Sequence, residues 1–140
     1  MGPADLRAAP RARPRTTARA AAAPAPPALR ALRGAITVDA DTPDAIHAAT
    51  HELLQTLVAR NALGADDIVS AVFTVTPDLV SAFPATAARA LGWDDVPMLC
   101  AQEIPVAGAL PRCVRVLLHV ATARPRAALR HAYLRRAATL

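Results

Sequence analysis

The chain has 140 residues, of which 54% are hydrophobic and 3% aromatic, so it is long enough for one domain with a proper core and too apolar for a disordered protein. All 16 basic residues are arginine, and the net charge of +5 belongs to residues 1–30, because residues 31–140 hold ten arginines and ten acids. This balance excludes a general nucleic-acid-binding surface on the folded part, and no apolar run approaches the roughly 20 residues that span a bilayer.

Residues 1–30 are rich in arginine, alanine and proline. They contain six of the 13 prolines and show no apolar periodicity, which is typical of a disordered leader. The uninterrupted apolar stretch of a secretory signal is missing. We therefore expect a disordered leader over 1–30 and one folded domain over 31–140, with nucleic-acid or membrane contact by the leader as the alternative.

The first half of the domain predicts a strand followed by a helix. The strand is ALRALRGAITV, which covers 31–38 and its lead-in, after which Thr42 can cap a helix and Pro43 can occupy its first position, where the missing N–H costs nothing. Apolar residues at helical spacing predict a long amphipathic helix over 44–61, namely Ile46, Ala49, Leu53 and Leu57.

The second half alternates short apolar runs with proline and glycine breaks. It predicts strands over 68–76, 96–101 and 113–122, a short helix over 83–91, and a helical stretch over 124–134 that turns into a strand through Tyr133 to Leu140. This order predicts an α+β fold, a mixed β-sheet covered on one face by the long helix. Because the strands are apolar on both faces, we expect the other face to pack in a closed homo-oligomer.

Common catalytic motifs are missing, since the chain has neither a glycine-rich nucleotide loop nor a serine elbow. His47 and His51 have the i, i+4 spacing of metal ligands, but Glu52 follows the second histidine instead of lying between the two, which favours a solvated helix face. Cys100 and Cys113 match neither a disulfide framework nor a zinc pattern, so reduced thiols in a cytoplasmic protein are expected.

Isolated charges interrupt segments that otherwise look buried. Arg33 and Arg115 lie within predicted strands, Arg89 lies on the short helix, and Glu103 follows an apolar segment. Such charges are costly unless they are paired or bind a charged ligand. The chain has only two glutamates, so two interpretations stay open: ordinary ion pairs, or a pocket for a small dicarboxylate.

Four blocks of sequence resemble the monofunctional chorismate mutases of the AroH class: RGAITV at 33–38, TPDLVSAFPATAAR at 76–89, VPMLCAQEIPVAGALPRCVRVLLHV at 96–120 and RHAYL at 130–134. The resemblance runs in order from about residue 32 to residue 140. It implies a homotrimeric pseudo-α/β-barrel with active sites at subunit interfaces. It also implies the conversion of chorismate to prephenate, the committed step towards phenylalanine and tyrosine, without metal or cofactor and without nucleic-acid or membrane partners.

The resemblance implies a role for each matching residue. Arg115 would lie by the ether oxygen of chorismate and Glu103 would accept from its ring hydroxyl, both unpaired until substrate binds. Arg33 would clamp a substrate carboxylate, with Tyr133 donating to the same end. The other implied contacts are Cys100 close to Glu103, the lining residues Leu99 and Leu140, and Phe83, Ala85 and Arg89 from the neighbouring subunit.

Two departures from the family pattern predict weaker substrate affinity and closure. Thr86 occupies a position where the family often has lysine, and the family continues past Leu140 with an arginine and a mobile tail. Two other functions stay open at this point. One is a deaminase-type enzyme on a related trimeric architecture, which would not require Glu103 together with Arg115; the other is a trimeric small-carboxylate-binding protein without turnover.

Overall fold

The computed structural model describes residues 25–140, which form a mixed five-stranded sheet with two α-helices. The elements are β1 (Ala28–Thr37), α1 (Pro43–Asn61), β2 (Ile68–Val75), α2 (Ala85–Ala90), β3 (Met98–Gln102), β4 (Cys113–Thr122) and β5 (Ala132–Leu134). Short 3₁₀ turns lie at Ala65–Asp67, Arg126–Ala128 and Arg135–Thr139. The α+β class and the mixed sheet are as the sequence predicts. Within this part of the chain, no helix is long and apolar enough to cross a membrane.

The strand order across the sheet is β3-β2-β4-β1-β5. The central strand β4 runs antiparallel to both β1 and β2, while β5 pairs with β1 and β3 pairs with β2 in parallel. Strand β3 is therefore an edge strand, and the outer edge of β1 is covered only where β5 pairs with Gly34–Ile36.

Helix α1 follows the signals in its sequence. Thr42 Oγ1 accepts a hydrogen bond of 3.2 Å from the backbone N–H of Ala45, and Pro43 occupies the first turn. The helix ends at Asn61, and the left-handed residue that terminates it is Ala62, with φ 49°. Its apolar face is fully buried through Ile46, Ala49, Leu53, Leu54 and Leu57.

Gly34 sets how closely α1 packs on the sheet. A Cβ atom placed there would lie 2.8 Å from Cδ1 of Leu57, 3.0 Å from Cδ1 of Leu53 and 3.2 Å from Cγ1 of Val116. All three distances are shorter than an ordinary van der Waals contact, and these side chains are buried in the core. The glycine therefore permits a close approach of helix to strand.

We predict that Gly34→Ala destabilises the protein by about 1–3 kcal/mol, because the added methyl group overpacks a filled core. Denaturant unfolding of the variant measures this loss. The matched control is Gly64→Ala, where the added Cβ would meet only Oδ2 of Asp67 at 3.6 Å and the backbone φ of −95° suits any residue. Equal stability of both variants would contradict the assigned role of Gly34.

Two predictions about the ends of the domain are wrong. Strand β1 begins at Ala28, so residues 28–30 belong to the folded sheet and not to the leader; residues 1–24 of the predicted leader lie outside the described residues. The helical stretch expected over 124–134 is a short 3₁₀ turn followed by extended chain. Its backbone is bound by the buried side chain of Asn61, which donates to the carbonyl of Arg130 and accepts from its N–H, both at 2.8 Å.

The last predicted strand is also shorter than expected, because it stops at Leu134 instead of continuing to Leu140. Arg135 has a left-handed backbone, with φ 53°. Its guanidinium donates to the carbonyl of Thr37 at 3.1 Å and to Oε2 of Glu52 at 2.9 Å. These bonds turn the chain at the point where its partner strand β1 ends.

The face of the sheet opposite α1 is open in the single chain. Side chains on β1 and β4 alternate between the buried core and this face, so Leu29 and Leu117 stand outward while Leu32 and Leu118 are fully buried. On β3, Leu99 is 70% exposed. This open face, defined by the outward residues of the strands, is mixed and not uniformly apolar as the sequence predicts, because Arg33, Arg115 and His119 stand on it beside the leucines.

Candidate active site

Arg115 lies on the open face at the middle of the sheet. In the strand register it is opposite Ala35 of β1 and Thr74 of β2. The alternation of β4 places Val114 and Val116 in the core and Arg115 on the other side, with its side chain 32% exposed. The backbone thus holds the guanidinium at the edge of a solvent-accessible cleft.

Glu103 reaches the same place from the end of β3. Its backbone N–H donates to the carbonyl of Val75 at 2.8 Å, which continues the pairing of β3 with β2 by one residue. Its Oε1 atom accepts a hydrogen bond of 2.5 Å from the hydroxyl of Thr74 and lies 3.2 Å from Nε of Arg115.

The expectation that Glu103 and Arg115 are unpaired until a ligand binds is therefore wrong. The register of β2 brings both side chains to Thr74, and two opposite charges placed so close attract each other. The contact has the distance of an ion pair but not the direction of a hydrogen bond, since the Nε–H of Arg115 has no acceptor in line among residues 25–140. The same guanidinium lies close enough to Cys113 for its charge to act on the pKa of that thiol.

A cavity of about 260 Å³ adjoins this ion pair. Glu103 and Arg115 line it together with residues from the segments 76–78 and 104–111. Its one cation and two acids, Glu103 and Asp78, converge from separate elements. A small polar ligand fits such a site, because a few fixed charges can orient it while apolar neighbours exclude water.

The loop that borders this cavity is fixed to the start of β4. Thr76 Oγ1 donates to Oδ1 of Asp78 at 2.5 Å and accepts from the N–H of Cys113 at 2.9 Å. The Asp78 carboxylate also accepts from the N–H of Arg112 at 2.9 Å. The sequence suggests only a strand stop at Thr76-Pro77-Asp78; these bonds in addition fix the backbone two residues before Arg115.

Arg33 and Tyr133 lie on the same open face. Arg33 is opposite Leu117 in the register, one diagonal step of about 7–8 Å from Arg115. Tyr133 is opposite Ala35, which lies between Tyr133 and Arg115 on that face. The structure thus brings together Arg33, Tyr133, Arg115 and Glu103, the four polar residues for which the sequence predicts direct roles at a ligand.

A larger cavity, of about 430 Å³, extends from Arg33 along the uncovered edge of β1. His119 and His131 line it, and Nδ1 of His131 accepts the backbone N–H of Arg33 at 3.0 Å. Both histidines have local partners, since Nδ1 of His119 lies 3.1 Å from the hydroxyl of Ser70. These contacts are the structural roles that a lone histidine most often fills.

The remaining predicted residues do not join this group within one chain. Phe83 and Cys100 line a separate cavity of about 450 Å³ behind the edge strand β3. On α2, Ala85 is buried in the core, whereas Arg89 is exposed. Helix α2 packs against α1 and β3, so these residues lie on the side of the sheet opposite Arg115.

Two predicted lining residues are exposed at the margins of the open face. Leu99 projects from β3, opposite Val72 in the register, and Leu140 is half exposed after the final 3₁₀ turn. Neither lines the cavity that contains Arg115. In the single chain they are available to a ligand or to another protein surface.

The two cysteines differ in their surroundings. Cys113 is buried, and this burial raises the pKa of its thiol; the nearby charge of Arg115 acts in the opposite direction but is the weaker influence. Cys113 is therefore a neutral core residue. Cys100 is exposed. No group of three potential metal ligands occurs in the part of the chain that the structure describes.

A model of the family described as chorismate mutase type I matches residues 29–140. The chain belongs to this family. It is thus a chorismate mutase, an isomerase of aromatic amino acid biosynthesis, and the deaminase and binding-protein alternatives lose their support.

Named relatives agree with the family. The chain is 50% identical to "Chorismate mutase AroH" of Thermus thermophilus over 113 residues, which cover 80% of this chain and 93% of the relative. Its identity to the protein of that name from Bacillus subtilis is 41% over 113 residues, covering 80% and 89%. A solved chorismate mutase from Clostridium thermocellum superimposes with a TM-score of 0.78 at 46% identity, covering 79% of this chain and 99% of that one.

Proposed function

We propose that this member of the family converts chorismate to prephenate by electrostatic stabilisation of charge on a substrate held in its reactive shape. The observation that carries this mechanism is the state of Arg115. Its Nε atom lies 3.2 Å from Oε1 of Glu103, and the half-buried guanidinium donates no side-chain hydrogen bond to Glu103 within the described residues. A cation fixed in this way is ready for an oxygen atom that the substrate supplies.

The reaction is a Claisen rearrangement, in which one molecule breaks a C–O bond and forms a C–C bond. It needs no nucleophile and no obligatory proton transfer, so two contributions remain. One is restriction of the substrate to its compact conformer. The other is positive charge at the ether oxygen, where negative charge develops as the bond breaks, and this interaction is stronger in the transition state than in the ground state.

Glu103 suits the hydroxyl end of the substrate. Its Oε1 atom accepts a hydrogen bond from Thr74 and lies beside Nε of Arg115, so the contacts found within residues 25–140 engage this oxygen and not Oε2. A carboxylate oxygen accepts readily from a hydroxyl. We assign Oε2 to the ring hydroxyl of chorismate, which also fixes the ether oxygen relative to the guanidinium of Arg115.

Arg33 and Tyr133 suit the opposite end. Tyr133 lies beyond Ala35 and Arg33 lies two residues along β1 from it, both on the same face, so a molecule bound at Arg115 can extend towards them. Arginine binds a carboxylate with two parallel hydrogen bonds, and a tyrosine hydroxyl adds a donor. We assign these two side chains to a substrate carboxylate.

We further propose a homotrimer, in which the second group of residues comes from a neighbouring subunit. Phe83, Ala85 and Arg89 lie on the far side of the sheet from Arg115 in one chain, at the free edge of β3. Large exposed hydrophobic side chains surround this edge, namely Val80, Phe83, Leu99, Ile104 and Val106. Apolar surface of this extent is typical of an interface between subunits, and a closed ring would place Cys100 and Leu140 beside each cleft.

The test is direct conversion of chorismate by the purified chain. We expect chorismate to disappear with saturation kinetics and prephenate, identified by NMR, to be the sole product. Light scattering of the same sample should give three chains per particle. Because both cysteines are free, we propose a cytoplasmic location. The assay should therefore be run under reducing conditions. Saturable binding without turnover would overturn the catalytic assignment.

A further inference from the structure

The hydroxyl of Thr74 donates to Oε1 of Glu103 at 2.5 Å, the short distance of a hydrogen bond to a charged acceptor. Thr74 lies next to Arg115 across the paired strands and opposite Ala101 on β3, two residues before Glu103. It is therefore the one position of β2 that faces both members of the ion pair.

We propose that Thr74 is a positioning residue for catalysis, which keeps Glu103 from closing onto the catalytic arginine. This inference rests on the proposed function of Glu103 and Arg115. An unrestrained glutamate beside an arginine forms a bidentate pair, with both oxygens on two guanidinium nitrogens. Such a pair would consume Oε2, which the substrate hydroxyl needs, and a terminal nitrogen, which the ether oxygen needs.

The observed contacts show how the hydroxyl prevents this. Thr74 and Nε of Arg115 both approach Oε1, so that oxygen is anchored on the sheet and the carboxylate cannot turn without losing the bond to Thr74. The half-buried hydroxyl has Glu103 as its acceptor among the described residues. Oε2 is consequently left to a ligand.

The test begins with Thr74→Val, which removes the hydroxyl while keeping the shape and strand preference of threonine. We expect kcat/KM for chorismate to fall roughly tenfold to a hundredfold, the effect of losing a hydrogen bond to a charged group. Thr74→Ser restores the hydroxyl and should regain most of the loss. Thermal unfolding of both variants shows that they fold, and equal impairment of the two would overturn the proposal.

A double-mutant cycle with Glu103→Ala separates positioning from a merely structural role. If Thr74 acts through Glu103, then Thr74→Val should change kcat/KM little once Glu103 is alanine. A full, additive loss in that background would overturn the role of Thr74 and leave the proposed function intact. An unimpaired Glu103→Ala variant would instead contradict the proposed function, and the Thr74 proposal would fall with it.

Discussion

Replacement of Arg115 by alanine is expected to lower kcat for chorismate by at least about a hundredfold, since loss of one preorganised donor to a developing oxyanion costs about 2.7–4 kcal/mol. The fall should appear in kcat more than in KM, because the contact with the ether oxygen strengthens as the bond breaks. Steady-state kinetics at saturating chorismate measures it directly.

Two further variants make this prediction specific to the position and shape of the cation. Arg124→Ala removes an exposed arginine that lies after β4, outside the cleft, and should retain full activity. Arg115→Lys keeps the charge but lacks the planar fork that contacts Glu103 and a ligand at once, so it should rescue little. Full activity of Arg115→Ala, with folding verified by circular dichroism, would exclude the proposed mechanism.

The sequence predicts local structure well where one strong signal acts alone. The cap at Thr42, the proline after it and the periodic apolar residues of 44–61 specify α1 without help from the rest of the chain. The β-branched and apolar runs of β2 and β4 likewise predict strands within one residue of those observed. Pairing of the strands then makes neighbours of residues that are far apart in sequence, and short-range patterns do not reveal which residues these are.

The predictions fail where a distant partner decides the conformation. The arginine- and alanine-rich segment 124–134 has the composition of a helix, but Asn61 binds the backbone of Arg130 in an extended form. Arg135 ends β5 through contacts with Thr37 and Glu52, which are far away in sequence. A sequence pattern confined to neighbouring residues gives no sign of such long-range hydrogen bonds.

In the candidate site, too, local sequence signals predict some features and distant partners decide the others. Isolated charges in or beside apolar strands mark Arg33, Glu103 and Arg115 as candidates, because a charge in such surroundings is costly unless it has a partner or a ligand. Their pairing depends on register, which sequence alone does not fix. A usable signal for Thr74 does exist: in the strand IVSAVFTV, the alternation of faces puts this hydroxyl on the side away from the buried Phe73.

The most demanding prediction concerns a site built from two chains. An Arg115→Ala chain and an Arg89→Ala chain should each be nearly inactive, yet their mixture should recover activity after joint unfolding and refolding. In a ring whose neighbours share each site, about a quarter of the sites in an equal mixture combine both native arginines. A site contained within one chain would recover nothing, since every chain lacks one arginine.

The reciprocal mixture provides the matched control, because it starts from wild-type activity. Wild-type chains refolded with an equal amount of the Arg115→Ala/Arg89→Ala double variant should show, per total chain, about a quarter of the wild-type activity if sites are shared, but about half if each chain carries its own. The geometry favours sharing, since α2 with Arg89 packs on the α1 side of the sheet while Arg115 stands on the open face. Within one chain, Arg89 and Arg115 lie on opposite sides of the sheet, so they cannot reach the same ligand. In the proposed ring, a neighbouring chain at the free edge of β3 would supply Arg89 to the cleft.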